Sequence, residues 1–307
     1  ISLFSNISLD KNNGNKDSYV PLSKLELTDS IYPENDKCMD LNYKSLWNEF
    51  INELDLLHVY DDFNTILALL KKYTSTICYK GDISLFNHLK TTNALSNCLY
   101  LNLNHKTDTP FLVINGDISG IQKFIYKVSS PKKAQNGMSK RLRGRSLYLT
   151  LLIESIANNI ISKLNLDSTN ILFCGGGRFT IIAPNNSESI AILNKLNDEI
   201  NREFIDKFNA ELYLILAYQE ASFDDLNNFG EIFSNLNLLS SQNKKHKFIN
   251  NIQYLFNSEI KIPKKLCVVC GNGISDGCFC DECKSHKELG TAIANANYRW
   301  LDRKSVV

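Results

Sequence analysis

Five of the nine cysteines fall inside one short stretch, CVVCGNGISDGCFCDEC, Cys267–Cys283. Cys267-x-x-Cys270 and Cys280-x-x-Cys283 form two knuckles around a Gly-rich loop, the spacing that folds four thiolates onto one tetrahedral zinc ion. A four-cysteine site leaves no open coordination position, so its chemistry is structural. Cys278 competes on spacing: it either replaces Cys280 as a ligand or is a free thiol beside the site. A disulfide reading is weaker, because nothing places the chain in an oxidising compartment. Cys38, Cys78, Cys98 and Cys174 stand alone in sequence and read as small buried hydrophobes.

A second place with chemical content is FLVINGDISGIQKFIY, Phe111–Tyr126. A buried strand over Phe111–Gly116 runs into a lone carboxylate, Asp117, and Ser119-Gly120 then opens a helix. Such a Ser-Gly step offers a hydroxyl and backbone N–H groups to phosphate oxygens, and the helix dipole favours the anion. The plainer reading makes Ser119 an N-cap and Gly116 a turn residue. Further on, Gly175-Gly176-Gly177-Arg178 predicts a tight hairpin of type I′, which needs positive φ. A glycine and a cation there cannot clamp two metal ions, a task that needs carboxylates.

A third is the acid-free run PKKAQNGMSKRLRGRS, with Lys132, Lys133, Lys140, Arg141, Arg143 and Arg145. Such a run neutralises phosphates of a nucleotide or of RNA, or is a solvated loop. Arg141, Arg143 and Arg145 are the candidates for phosphate or RNA contact, while Lys132 and Lys133 are expected free in solution. The weaker run QNKKHKF, residues 242–248, reads as a solvated face. Phe124 and Tyr126 read as core packing of the first helix.

These residues need a scaffold, and the pattern supplies one. The 307 residues are 43% hydrophobic with a net charge of +1, enough for a sizeable core and no global argument for nucleic acid. No run of about eighteen apolar residues or signal peptide occurs, so the chain reads as cytoplasmic with no membrane partner. Residues 1–45 read as an extended connector, 46–108 as a small helical unit, 109–220 as α+β, 221–292 as helical with the knuckles, and 293–307 as the truncated start of a further unit. Within 109–220, strands are predicted at 111–116, 170–174, 178–184 and 211–218. One helix carries Leu149, Ile153, Ile156, Ile160 and Leu164 on a single face. A second starts near the capping candidate Ser187, with Ile190, Leu193, Leu196, Ile200, Phe204 and Phe208 on a stripe. The order β-α-β-β-α-β is the ferredoxin-like split arrangement, with both helices on one face of a four-stranded sheet. In polymerase and cyclase palms built this way, the end of the first strand and the turn between the second and third lie side by side.

GDISGIQKFIY, then RLRGRSLYLTLL, then a GGG-R-F hairpin followed by IIAPN, then paired Cys-x-x-Cys knuckles before KELG, together resemble the large signature subunit of type III-A CRISPR effector complexes. LFSNISL and YVPLSKLEL near the start add to the likeness. In that family an HD nuclease domain is followed by a degenerate first palm, a zinc-knuckle helical domain, a second palm with a Gly-Gly-Asp-Asp hairpin, and a helical C-terminal domain. The resemblance implies a parent protein that joins ATP, with Mg²⁺, into cyclic oligoadenylate when its complex holds target RNA, and that acts on single-stranded DNA. Its implied partners are sibling effector subunits, guide RNA and target RNA. No His-Asp dipeptide and no Gly-Gly-Asp-Asp occurs here. The chain, which begins at Ile1, is therefore expected to lack the preceding nuclease domain and to hold the non-catalytic palm, inactive alone. Asp117, Ser119, Gly120, Gln122, Gly176 and Gly177 are the implied nucleotide-binding residues. Two rivals stand beside this reading: a non-enzymatic zinc-knuckle RNA-binding module, and an autonomous cyclase using Asp117.

Overall fold

A computed structural model describes residues 19–26, 42–57, 62–129, 135, 137–257, 265–274 and 276–296. The chain divides into two compact units, Ile1–Ala94 and Leu95–Val307. In the first, helices α1 (Tyr43–Asp55) and α2 (Phe63–Thr74) are capped by Asn42 and Asp62, whose side chains accept from Ser45 and Asn64 backbone N–H groups. Both caps satisfy donors that a helix start leaves open. Leu46, Leu69 and Tyr73 are buried together, flanked by Phe50 and Leu54. A short hairpin, β1 (Cys78–Lys80) and β2 (Ile83–Ser84), leads into α3 (Leu85–Leu101), which crosses the unit boundary. Cys78 is exposed and Cys98 buried, so the expectation of a buried thiol fails at Cys78, which lies on β1, a strand with all three residues exposed; Cys174 is half-buried, and Cys38 lies outside the described residues.

The second unit is built on a four-stranded antiparallel sheet in the order β4-β5-β3-β6, from β3 (Phe111–Ser119), β4 (Ile171–Gly175), β5 (Arg178–Pro184) and β6 (Tyr213–Ala221). Between the strands run α4 (Ile121–Tyr126), α5 (Met138–Lys163) and α6 (Ser187–Phe208). Side chains alternate between faces along each strand. Leu112 and Ile114 of β3, Phe179 and Ile181 of β5, and Leu214 and Leu216 of β6 meet Leu149, Ile153 and Ile160 of α5 and Leu193 and Phe204 of α6 in one core. The opposite face is covered over β3 and β6 by α8 (Phe229–Asn243), which follows the single turn α7 (Phe223–Asn227) and buries Ile232 and Leu236. Beyond α9 (Ile252–Asn257), a two-strand knuckle of β7 (Lys265–Leu266) and β8 (Gly273–Ile274) leads to α10 (Asp281–Asn295).

Three local expectations are corrected. β3 does not stop at Gly116: it is paired on both edges as far as Asp117 with β5 and Ser119 with β6. Gly116 is therefore mid-strand, and it is glycine because the Phe179 ring crosses it, 2.1 Å from where a Cβ would stand. The N-cap of α6 is Asn186, whose Oδ1 accepts from Ser189 N–H at 2.8 Å, one residue before Ser187. Tyr126 is exposed, whereas Phe124 is buried as expected.

Helix α10 lies directly on α5 through two glycines. A Cβ at Gly144 would stand 1.8 Å from the carbonyl oxygen of His286, and one at Gly290 would stand 1.8 Å from that of Lys140. Both obstacles are backbone, which no rotamer change relieves. Gly144→Ala should therefore lower unfolding free energy by about 1–3 kcal/mol in urea titration. Gly230→Ala in α8, which meets nothing within 4 Å, should be neutral or stabilising by at most about 1 kcal/mol.

Candidate nucleotide-contact turn and four-cysteine metal centre

The turn regions singled out in sequence come together at one end of the sheet. Asp117 pairs with Arg178 across β3 and β5, so their side chains leave the sheet on the same face. Gly176 and Gly177 form the two-residue turn between β4 and β5, with φ of 60° and 81°, the backbone a type I′ hairpin requires. Gly177 is packed against the start of α4, where a Cβ would meet Ile121 Cδ1 at 2.2 Å, and its carbonyl accepts from Ile118 N–H at 2.9 Å. The hairpin tip is thus bound to the end of β3 and the start of α4.

Ser119 is the last residue of β3, opposite Tyr213, and Gly120 caps α4 at φ 98° without a side-chain hydrogen bond. Gly120 is required twice over: by that left-handed backbone, and by the Glu211 carbonyl oxygen 2.0 Å from where its Cβ would be. The capping role considered for Ser119 accordingly falls to Gly120. Gln122 is exposed on the first turn of α4.

Asp117 is held by two cations. Its Oδ2 accepts from Lys244 Nζ at 2.6 Å and its Oδ1 lies 3.4 Å from Arg178 Nε, with the Asp117 side chain only 15% exposed. Lys244 is the C-cap of α8, within the run read from sequence as a solvated face. That reading is corrected at Lys244, because α8 lies over β3 and its end brings the ammonium onto the carboxylate.

The metal centre is the other cluster. The sulfurs of Cys267, Cys270, Cys280 and Cys283 all lie within 4.8 Å of one another, three of the residues being buried. Zinc–sulfur bonds of about 2.3 Å in a tetrahedron set sulfurs ~3.8 Å apart, so the donor set fits zinc. Cys278 is exposed and outside the cluster, which resolves the choice in favour of Cys280. Cys280 N–H points at Cys267 Sγ at 3.3 Å, and Cys283 N–H at Cys280 Sγ at 3.4 Å, bonds that hold negative sulfur. Cys280 also caps α10, placing Cys283 in its first turn.

The basic run divides. Arg143 is exposed, but Arg141 and Arg145 are 4% and 3% exposed. Arg145 Nη1 donates to the carbonyls of Phe124, Ile125 and Lys127 at 2.9–3.0 Å. Arg141 lies over the Phe279 ring beside the cysteine cluster. Close packing of α10 on α5 buries the Arg145 guanidinium, which leaves Arg143 as the exposed member of the three arginines. Lys132 and Lys133 lie outside the described residues.

Two outcomes check these sites. Cys280→Ser should abolish zinc retention while Cys278→Ser keeps about one zinc per chain, read by elemental analysis. A double-mutant cycle of Asp117→Asn and Lys244→Met should return a coupling of about 1 kcal/mol in chemical denaturation.

Residues 110–260 match the family described as Csm1 subunit domain B. The Cas10/Csm1 subtype III-A CRISPR single-strand-specific deoxyribonuclease of Methanocaldococcus jannaschii is 30% identical, over 85% of this chain and 38% of its own length. That of Enterococcus italicus is 30% identical over 66% of this chain and 30% of its own. A solved Csm1-Csm4 cassette in complex with one ATP superimposes with a TM-score of 0.68 at 26% identity, covering 80% of this chain and 35% of that one. The cassette in complex with cA4 gives 0.66 at 26% identity, covering 76% and 34%. The chain thus spans about a third of the length of the curated relatives it matches. With domain B matched and the sheet, hairpin and cysteine cluster in place, the chain belongs to the Csm1/Cas10 family of type III-A CRISPR systems.

Proposed function

We propose that this chain supplies the non-catalytic, nucleotide-binding palm and the zinc domain of a target-RNA-activated synthase of cyclic oligoadenylate. The observation that carries this reading is the hairpin Gly176-Gly177-Arg178 locked onto Asp117. Where a catalytic palm presents carboxylates for two metal ions, this one presents a guanidinium already paired to the single acid, so it binds but does not join nucleotides. The strand order β4-β5-β3-β6 with α5 and α6 on one face supports the ferredoxin-like split topology of such a palm. Ser119, Gly120 and Gln122 are the proposed contacts to ATP, with Gly176 and Gly177 at the facing hairpin, and Mg²⁺ arrives with the nucleotide. Complexes of the related Csm1-Csm4 cassette with ATP and with cA4 support a nucleotide ligand and a sibling Csm subunit as partner. Guide and target RNA complete the proposed assembly, which works in the cytoplasm. No described helix is long and apolar enough to cross a membrane.

The domain boundaries proposed are 1–45, 46–108, 109–220, 221–292 and 293–307, in the roles the resemblance implies. The whole protein's action on single-stranded DNA belongs, in this reading, to parts outside the palm. Burial of Arg141 and Arg145 weighs against the RNA-binding module, since it withdraws two of the cations that module needs.

The test is mass spectrometry of products after the purified chain is incubated with ATP, Mg²⁺ and the remaining subunits, loaded with guide and target RNA but lacking their own large subunit. No oligoadenylate is expected; its appearance would overturn the non-catalytic reading. In the full-length protein within its complex, Gln122→Ala should raise KM for ATP several-fold with little change in stability.

A further inference from the structure

Buried guanidinium groups are costly unless a negative charge and hydrogen bonds compensate them. Arg145 has hydrogen bonds at Nη1, while its buried Nε has no hydrogen-bond partner among the described residues. Its Nη1 takes the carbonyls of Phe124, Ile125 and Lys127, which the C-terminus of α4 leaves without intrahelical partners. Its Nη2 is directed at Cys283 Sγ at 3.8 Å. Among the described residues no carboxylate comes within ion-pair distance of Arg145.

Four thiolates around a divalent ion carry a formal charge of about −2. Arg145 and Arg141, which also lies within electrostatic reach of Cys283 and Cys267, bring two positive charges to that centre. A backbone bond runs beside this link, from Ser129 N–H to the Val269 carbonyl at 2.9 Å, tying the segment after α4 to the first knuckle. We propose that Arg145 is a positioning residue that couples the zinc centre to the nucleotide-contact turn, its Nη2 compensating the Cys283 thiolate while its Nη1 holds the end of α4. Metal loading then sets the placement of the helix that follows Asp117–Gly120. The inference rests on the zinc reading of the four cysteines.

The experiment uses the full chain with two readouts, zinc affinity by chromogenic-chelator competition and amide hydrogen exchange over residues 121–127. Arg145→Gln should weaken zinc 10–100-fold and speed exchange at 121–127. Arg145→Lys, which keeps the charge but not the fork that reaches three carbonyls, should hold zinc more tightly than Arg145→Gln while still speeding exchange. Chelating zinc from the unaltered chain should speed 121–127 and leave Leu112–Ile114 protected. Zinc affinity of Arg145→Gln within twofold of the parent would overturn the proposal, as would unchanged exchange at 121–127 after chelation, or equal loss of protection at Leu112–Ile114. Should Arg145→Gln fail to fold, Arg145→Lys and the chelation arm decide. A parent chain that retains no zinc sinks the zinc reading instead, which keeps the two failures apart.

Discussion

Pairing of β3 along both edges is the constraint on which the candidate site depends. A strand bonded on one side only could end at Gly116 and leave Asp117 in a turn, free to choose its contacts. With β5 on one edge to Asp117 and β6 on the other to Ser119, the carboxylate has a fixed register and a fixed face. That register sets Arg178 opposite Asp117, and the face is the one α8 covers, which brings Lys244 within 2.6 Å. The price is a glycine at 116, where the Phe179 ring fills the space that a side chain would take on the core face.

A second close approach joins the four-cysteine cluster to this scaffold. Gly144 and Gly290 let the backbones of α5 and α10 touch, and a helix pair so close has no room for solvent around the side chains beside the contact. Arg145, directed at Cys283 of the facing helix, is buried at this contact, and so is His286. The cysteine knuckles then serve as more than a staple for a loop: α10 begins at one clustered cysteine, Cys280, carries another, Cys283, and lies against the longest described helix of the palm-like unit.

Local patterns were legible in the sequence and contacts between distant segments were not. The two Cys-x-x-Cys knuckles need only their own spacing, and the apolar stripes of α5 and α6 only a helical period, so Leu149, Ile153, Ile160, Leu193 and Phe204 lie in the core as read. The hairpin Gly176-Gly177 was equally local. Lys244 was missed because nothing near it in sequence says that α8 will cover β3. Arg145 was read as a contact to phosphate or RNA because a run without acids suits an anion; the signal that it is buried, Gly144 facing Gly290, becomes meaningful only once the two helices are known to cross.

Charge gives the Asp117 carboxylate a structural role in this unit. In a two-metal site the cations arrive from solution and the protein contributes acids. Here the cations are covalently part of the chain, Arg178 on the hairpin and Lys244 at the end of α8, and they meet on Asp117. A protein-borne ammonium cannot activate a hydroxyl as a divalent ion does, but it can fix three segments, β3, the β4–β5 hairpin and α8, against one another. At the other cluster Arg145 reaches Cys283 of the facing helix and Arg141 lies over Phe279 beside the cysteines. The short helix whose first turn carries Gln122 is therefore held at both ends, by the hairpin at Ile118 and Ile121 and by Arg145 on the carbonyls of Phe124, Ile125 and Lys127.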